Sequence, residues 1–143
     1  MFLGEYKHVI DIKGRVAVPA KFRSKLTSGA IITRGLDRCL FVFDTREWEK
    51  LAGKLTALPI AQANSRAFVR LMLSGASDVD IDSQGRILVP DYLRKYAGIA
   101  KQVVIAGVYN RIEIWDGVAW NNYKTKTEAE SDEIAEKLGE LGI

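Results

Sequence analysis

A stretch of thirteen residues occurs twice in this chain, and the recurrence constrains the fold more than any single residue does. Asp11-Ile12-Lys13-Gly14-Arg15-Val16-Ala17-Val18-Pro19-Ala20-Lys21-Phe22-Arg23 returns seventy-one positions later as Asp82-Ser83-Gln84-Gly85-Arg86-Ile87-Leu88-Val89-Pro90-Asp91-Tyr92-Leu93-Arg94. Asp, Gly, Arg, Val, Pro and the closing Arg match at six positions without a gap. Internal repetition on this scale marks a duplicated unit, to be identified before any motif is interpreted. Further on, Gly35-Leu36-Asp37-Arg38 lines up with Gly107-Val108-Tyr109-Asn110 at an offset of seventy-two, as do Leu40 to Asp44 with Ile112 to Asp116 and Trp48 with Trp120. Two copies of about fifty residues each predict a pseudo-twofold axis.

Each copy reads the same way. Tyr6 to Ile10 has strand character and leads into Asp11-Ile12-Lys13-Gly14, a turn in which Asp bonds its own backbone and Gly tolerates positive φ. Arg15 to Val18 returns as a strand, predicting a local hairpin, and Pro19 suits the first position of a short helix from Ala20 to Leu26. Ala30 to Thr33 and Leu40 to Phe43 predict a second hairpin. Asp44-Thr45-Arg46-Glu47 has the spacing of a capping box, opening a helix with Trp48, Leu51, Ala52 and Leu55 on one face. Trp48 and Trp120 are expected to pack, and His8, opposite Val79 under the repeat, to be an inward strand residue. The divisions expected are a first motif over 1–58, a connecting helix over 59–75, a second motif over 76–126 and an acidic tail over 127–143. In the connector, Ile60, Ala63, Ala67, Phe68, Leu71 and Met72 recur at helical spacing. The tail offers Ile134, Leu138 and Leu141 as a thin apolar edge.

Bulk properties narrow the function. The 143 residues are 48 % hydrophobic and 27 % charged, enough for one core or two half-domains sharing one. A single Cys39 fits a reducing compartment, and the N-terminus lacks the apolar core of a signal peptide. A cytoplasmic protein with no membrane segment is the expectation. Lys and Arg outnumber Asp and Glu by eleven to six over residues 1–58, by seven to six over 59–123, and trail by three to six over 124–143. A basic front and acidic tail suggest a polyanionic partner for the first copy. One His and one Cys cannot fill a zinc site of the usual ligand count without carboxylates. Neither a phosphate-binding loop nor a nucleophile elbow is present. No metal, cofactor, small-molecule substrate or catalytic activity is therefore expected.

What the repeat displays twice is Asp-x-x-Gly-Arg. An Arg on the first residue of a returning strand offers a planar fork that matches guanine O6 and N7, or a phosphate, bidentately. The same Arg could instead brace its own turn through Asp11 or Asp82, and both roles stand open at this point.

These residues resemble the MraZ family of bacterial transcriptional regulators. The resemblance rests on the two Asp-x-x-x-Arg sequences, each followed by Val-Pro, on the opening Phe2-Leu3-Gly4-Glu5-Tyr6, and on Arg66-Ala67-Phe68-Val69-Arg70-Leu71. It implies an α+β fold: a tandem duplicated, AbrB-like swapped-hairpin β-barrel with short flanking helices. It further implies a homo-oligomer in ring form that binds double-stranded DNA at promoter repeats of a cell-division and cell-wall gene cluster, repressing its own operon as a nucleoid-associated protein. Arg15 and Arg86 carry over as DNA contacts. Geometry adds Lys13, Ser83 and Gln84 at the loop tips, with Asp11, Gly14, Asp82 and Gly85 shaping the turns. The rival expectation is an antitoxin-like module whose acidic tail binds a partner protein.

Overall fold

The Asp11–Gly14 turn closes as expected, but the strands on either side of it do not pair with each other. In this computed structural model, which describes residues 1–142, β1 (Phe2–Val9) runs antiparallel to β7 (Gln102–Tyr109) in the second copy, from Phe2 opposite Tyr109 to Val9 opposite Gln102. Reciprocally, β5 (Ser77–Val79) of the second copy pairs with β3 (Ala30–Arg34) of the first. The short returning strands β2 (Arg15–Ala17) and β6 (Arg86–Leu88) pair with one another. Each copy thus lends its first two strands to the other. The local hairpin expected from the turn is replaced by an exchange across the axis. Three-residue strands are too short to stand alone, and the exchange gives each a ladder partner.

The second hairpins do form within their copies. Strand β3 pairs with β4 (Leu40–Asp44), and β7 with β8 (Ile112–Asp116). Strands β4 and β8 then join, giving a six-stranded antiparallel sheet in the order β1-β7-β8-β4-β3-β5 with a two-stranded sheet, β2-β6, beside it. The pseudo-twofold is visible in the pairing: Val16 lies opposite Ile87, and Phe41 opposite Glu113. The register corrects one alignment. Gly107 takes the position of Arg34, not Gly35, because four residues separate Gly107 from its β8 partner Ile112 where five separate Arg34 from Leu40.

Two apolar clusters sandwich the large sheet. The inner one contains Ile32, Val42, Ile105 and Ile114 from the sheet, Val16, Val18, Ile87 and Val89 from the region of β2 and β6, and Phe22 and Leu93. Phe22 comes from α1 (Ala20–Arg23) and Leu93 from α4 (Asp91–Tyr96), each preceded by a proline one residue outside the helix rather than within its first turn. Phe22 and Leu93 are at most 1 % exposed, and full burial of such side chains contributes about 1.5–3 kcal/mol apiece. The outer cluster is aromatic. Phe41, Phe43 and Trp115 are covered by Trp48 and Leu51 of α2 (Thr45–Thr56) and by Trp120 of α5 (Gly117–Ala129). Asp44 caps α2 by accepting a bond from Glu47 N at 2.7 Å, and Asp116 caps α5 by accepting one from Ala119 N at 3.2 Å. Both tryptophans therefore pack as their shared place in the repeat suggests. His8 is half-buried, in alternation with Phe2, Tyr6 and Ile10.

The connector departs from the expected pattern. Helix α3 covers only Ala63–Val69 and passes into a π turn over Arg70–Ser74. That extra residue per turn rotates the packed face, so that Phe68, Val69, Met72 and Leu73 meet the outer cluster. Ala63 and Ala67 are exposed, and Ile60 is left 83 % exposed. The tail forms α6 (Ser131–Leu138) and a closing 3-10 turn. No helix among the described residues is long and apolar enough to cross a membrane.

Candidate nucleic-acid interface

Pairing of β2 with β6 sets the two Asp-x-x-Gly-Arg turns side by side. Arg15 stands opposite Leu88 and Arg86 opposite Ala17. Because side chains alternate along a strand, these four share the outer face while Val16 and Ile87 point into the core. Two positions seventy-one residues apart in the chain are thereby brought together.

Each turn is built by its aspartate. Asp11 Oδ1 accepts bonds from Lys13 N at 3.0 Å and Arg15 N at 2.9 Å, and its Oδ2 accepts from Arg15 Nε at 2.7 Å. Asp82 repeats this with Gln84 N, Arg86 N and Arg86 Nε at 2.9, 2.9 and 3.0 Å. The backbone N–H of Arg15, more than its guanidinium, holds the Asp11 carboxyl below the usual carboxylate range; Arg86 N–H does the same for Asp82. Both carboxylates stay ionised and orient their arginines through charge-assisted bonds. Arg86 Nη1 also lies 3.9 Å from Asp11 Oδ2, linking the turns. The arginine side chains are 34 % and 27 % exposed, so bracing through Nε coexists with access to solvent.

The closing arginines of the repeat, Arg23 and Arg94, acquire a role that the sequence reading missed. Gly14 has φ +88°, and a Cβ there would come within 2.8 Å of the Arg94 guanidinium and 2.9 Å of Val89 O. Gly85, at φ +77°, lies against the guanidinium of Arg23 in the same way. Each closing arginine therefore covers the turn glycine of the other copy. The turns are tied across the axis by backbone bonds too, from Val18 N to Gly85 O at 2.9 Å and from Val89 N to Gly14 O at 2.8 Å. The signal was present, since Arg23 and Arg94 match under the repeat, but no local pattern says what a long side chain will reach. The two braces differ. Arg23 Nε donates to Val18 O at 2.8 Å, whereas Arg94 Nε is buried with no partner among the described residues and its Nη2 reaches Asp91, at 3.5 Å. Ala20 holds the position of Asp91 in the first copy, so Arg23 lacks the carboxylate three residues before it with which Arg94 pairs.

At the tips, Ile12 and Lys13 in the first turn and Ser83 and Gln84 in the second are all exposed, Ile12 at 98 %. The first tip is cationic and apolar, the second neutral and hydrogen-bonding. Among the described residues, no group of three His, Cys, Asp or Glu side chains converges in a way that could hold a metal ion. Cys39 is buried, and burial pushes its thiol far above the ordinary range, which suits a packed residue rather than a nucleophile.

Comparison with known proteins gives a consistent answer. The family model described as "MraZ protein, putative antitoxin-like" matches residues 1–71 and again residues 72–140. Proteins named "Transcriptional regulator MraZ" are similar along their whole length. The one from Halothermothrix orenii is 52 % identical and that from Alkaliphilus oremlandii 50 % identical, each over all of both chains. The one from Carboxydothermus hydrogenoformans is 51 % identical over 96 % of each chain.

Proposed function

The chain belongs to the MraZ family, and from that premise we propose that it is a transcriptional regulator that binds double-stranded DNA sequence-specifically, represses its own cell-division and cell-wall operon, and has an AbrB-like swapped-hairpin architecture. The observation that carries this reading is the pair of tethered, half-exposed arginines on one face of β2-β6. With Nε held by aspartate, the outer edge of each guanidinium is left to meet guanine O6 and N7 or a phosphate, and little side-chain freedom remains to be lost on binding. Lys13 supplies a phosphate contact, and Ser83 and Gln84 supply donors and acceptors for base edges. Asp11, Gly14, Asp82 and Gly85 act through the arginines by fixing the turns.

Two arginines per chain make too few contacts for tight binding to a short site. Several chains in a closed homo-oligomer, each engaging one promoter repeat, would multiply the weak contacts through effective concentration. The test is a gel shift on the DNA upstream of the chain's own gene, with wild type against the Arg15→Ala, Arg86→Ala double variant. Loss of the specific complex by a variant that keeps its thermal unfolding profile supports the reading. Undiminished affinity in that folded variant overturns it and leaves the arginines as turn braces.

A further inference from the structure

The face that carries Arg15 and Arg86 also leaves aliphatic side chains in water. Leu88 lies directly opposite Arg15 across β2-β6, on the same outer face, and is 54 % exposed. Ile12, on the tip of the turn that Arg15 closes, is 98 % exposed. Neither joins an apolar cluster of the fold, so packing within the chain does not account for them. Single exposed aliphatics are ordinary on a protein surface, but this pair borders one arginine. The other arginine has no such border. Under the repeat Leu88 corresponds to Ala17 and Ile12 to Ser83. Arg86 therefore stands opposite Ala17, and the tip before it carries a hydroxyl. The pseudo-twofold gives the guanidiniums equivalent places, while the residues beside them make one half of the face apolar and the other polar.

The major groove admits a two-stranded ribbon, and arginine there reads guanine O6 and N7. The apolar group that base pairs present in that groove is the C5-methyl of thymine. Residues directly opposite on antiparallel strands stand about 5 Å apart at Cβ, and bases along one strand are spaced by about 3.4 Å. Leu88 is thus set about one or two base steps from the base that Arg15 contacts. Contact with phosphates alone would leave both aliphatics against the most polar part of the duplex.

Building on the reading of β2-β6 as a DNA-binding face, we propose that Leu88 and Ile12 recognise thymine methyl groups beside the guanine read by Arg15. Ala17 and Ser83 make no equivalent contact beside Arg86. Each chain then has a methyl-sensing half and a methyl-blind half, although both halves carry the same tethered arginine.

The experiment uses the full-length chain and two duplexes of the DNA upstream of its own gene, one natural and one made with deoxyuridine in place of thymidine throughout. They differ only in the C5-methyls and keep every hydrogen-bonding edge. In fluorescence anisotropy at fixed salt, wild type should bind the deoxyuridine duplex about fourfold or more weakly, as the loss of one or more buried methyls requires. The Leu88→Ala, Ile12→Ser double variant gives the Arg15 half the residues found beside Arg86. It should bind natural DNA more weakly than wild type and bind both duplexes equally. Removing the methyls also alters the stiffness of the duplex. A folded double variant that keeps the wild-type ratio would assign the loss to the DNA and overturn the proposal. Should Leu88→Ala disturb the ribbon, Ile12→Ser alone must lower the ratio, and an unchanged ratio there is equally fatal. A wild type that forms the specific complex equally well with both duplexes overturns the methyl contact and leaves the DNA-binding reading standing. A wild type that forms no specific complex with either refutes both together.

Discussion

The Asp11 and Asp82 turns are two versions of one device, and they differ where the backbone makes no demand. In both, aspartate accepts three hydrogen bonds, glycine takes a positive φ, and an arginine is tethered through Nε. Those residues are identical between copies because each answers a geometric requirement. The tips answer none, and there Ile12-Lys13 faces Ser83-Gln84. One scaffold therefore offers a cationic, apolar tip and a neutral, hydrogen-bonding tip on the same face. The comparison separates what builds the turn from what the turn presents.

The strongest way to break it is at the framework. Gly14→Val places a branched Cβ at positive φ against the Arg94 guanidinium and Val89 O, and should lower stability by about 3 kcal/mol or more in urea unfolding. Gly85→Val should fail similarly, and full retention of stability by either would show that the cross-copy contact is dispensable. Next come the single arginines. Arg15→Ala should weaken specific DNA binding by about 1–3 kcal/mol, the range for one lost bidentate base contact, measured by fluorescence anisotropy at fixed salt. Arg86→Ala should weaken binding comparably and also loosen the link to Asp11, visible as a lower unfolding midpoint than that of Arg15→Ala.

Acid titration probes both turns together. Because the folded carboxyls of Asp11 and Asp82 titrate below their unfolded value, their contribution is complete above the ordinary carboxylate range. It is lost as pH falls from about 4 through the lowered folded values. Urea midpoints of wild type should therefore converge on those of the Asp11→Asn, Asp82→Asn variant as pH falls through that window. A gap that persists below it would mean the aspartates act through something other than charge.

The tips should give smaller effects. Lys13→Gln should flatten the log–log salt dependence of binding by about 0.9 per site, the loss of one phosphate contact, and Gln84→Lys should steepen it by the same amount. The smallest change concerns the braces. Asp91→Ala removes a long, 3.5 Å ion pair with the largely buried Arg94 and a surface pair with Lys95, and should shift stability by less than about 1 kcal/mol. A larger gain would indicate that Arg94 Nε then takes up the carbonyl bond that Arg23 Nε already makes.

Much of this was legible beforehand. The duplication, the Asx-type turns, the Asp44 cap and the packing of Trp48 and Trp120 all follow from local chemistry or from matched positions. The face of the connector did not follow, because the π turn at Arg70–Ser74 changes the period on which the count of apolar residues relied. The shift from Gly35 to Arg34 as the counterpart of Gly107 escaped for a similar reason. A difference of one residue in an exposed turn alters register without altering composition.

The sequence by itself determined that this chain is a tandem repeat with two aspartate-built turns, each followed by an arginine, because those features depend on neighbours a few residues away. Only the tertiary structure decided which strand each turn feeds. A two-residue alternation specifies which face of a strand is apolar but not which edge will pair with it, and here the partner lies in the other copy. That exchange is also what places Arg15 beside Arg86 and lays Arg23 and Arg94 over the opposite glycines, contacts set by distance in space that no spacing along the chain encodes.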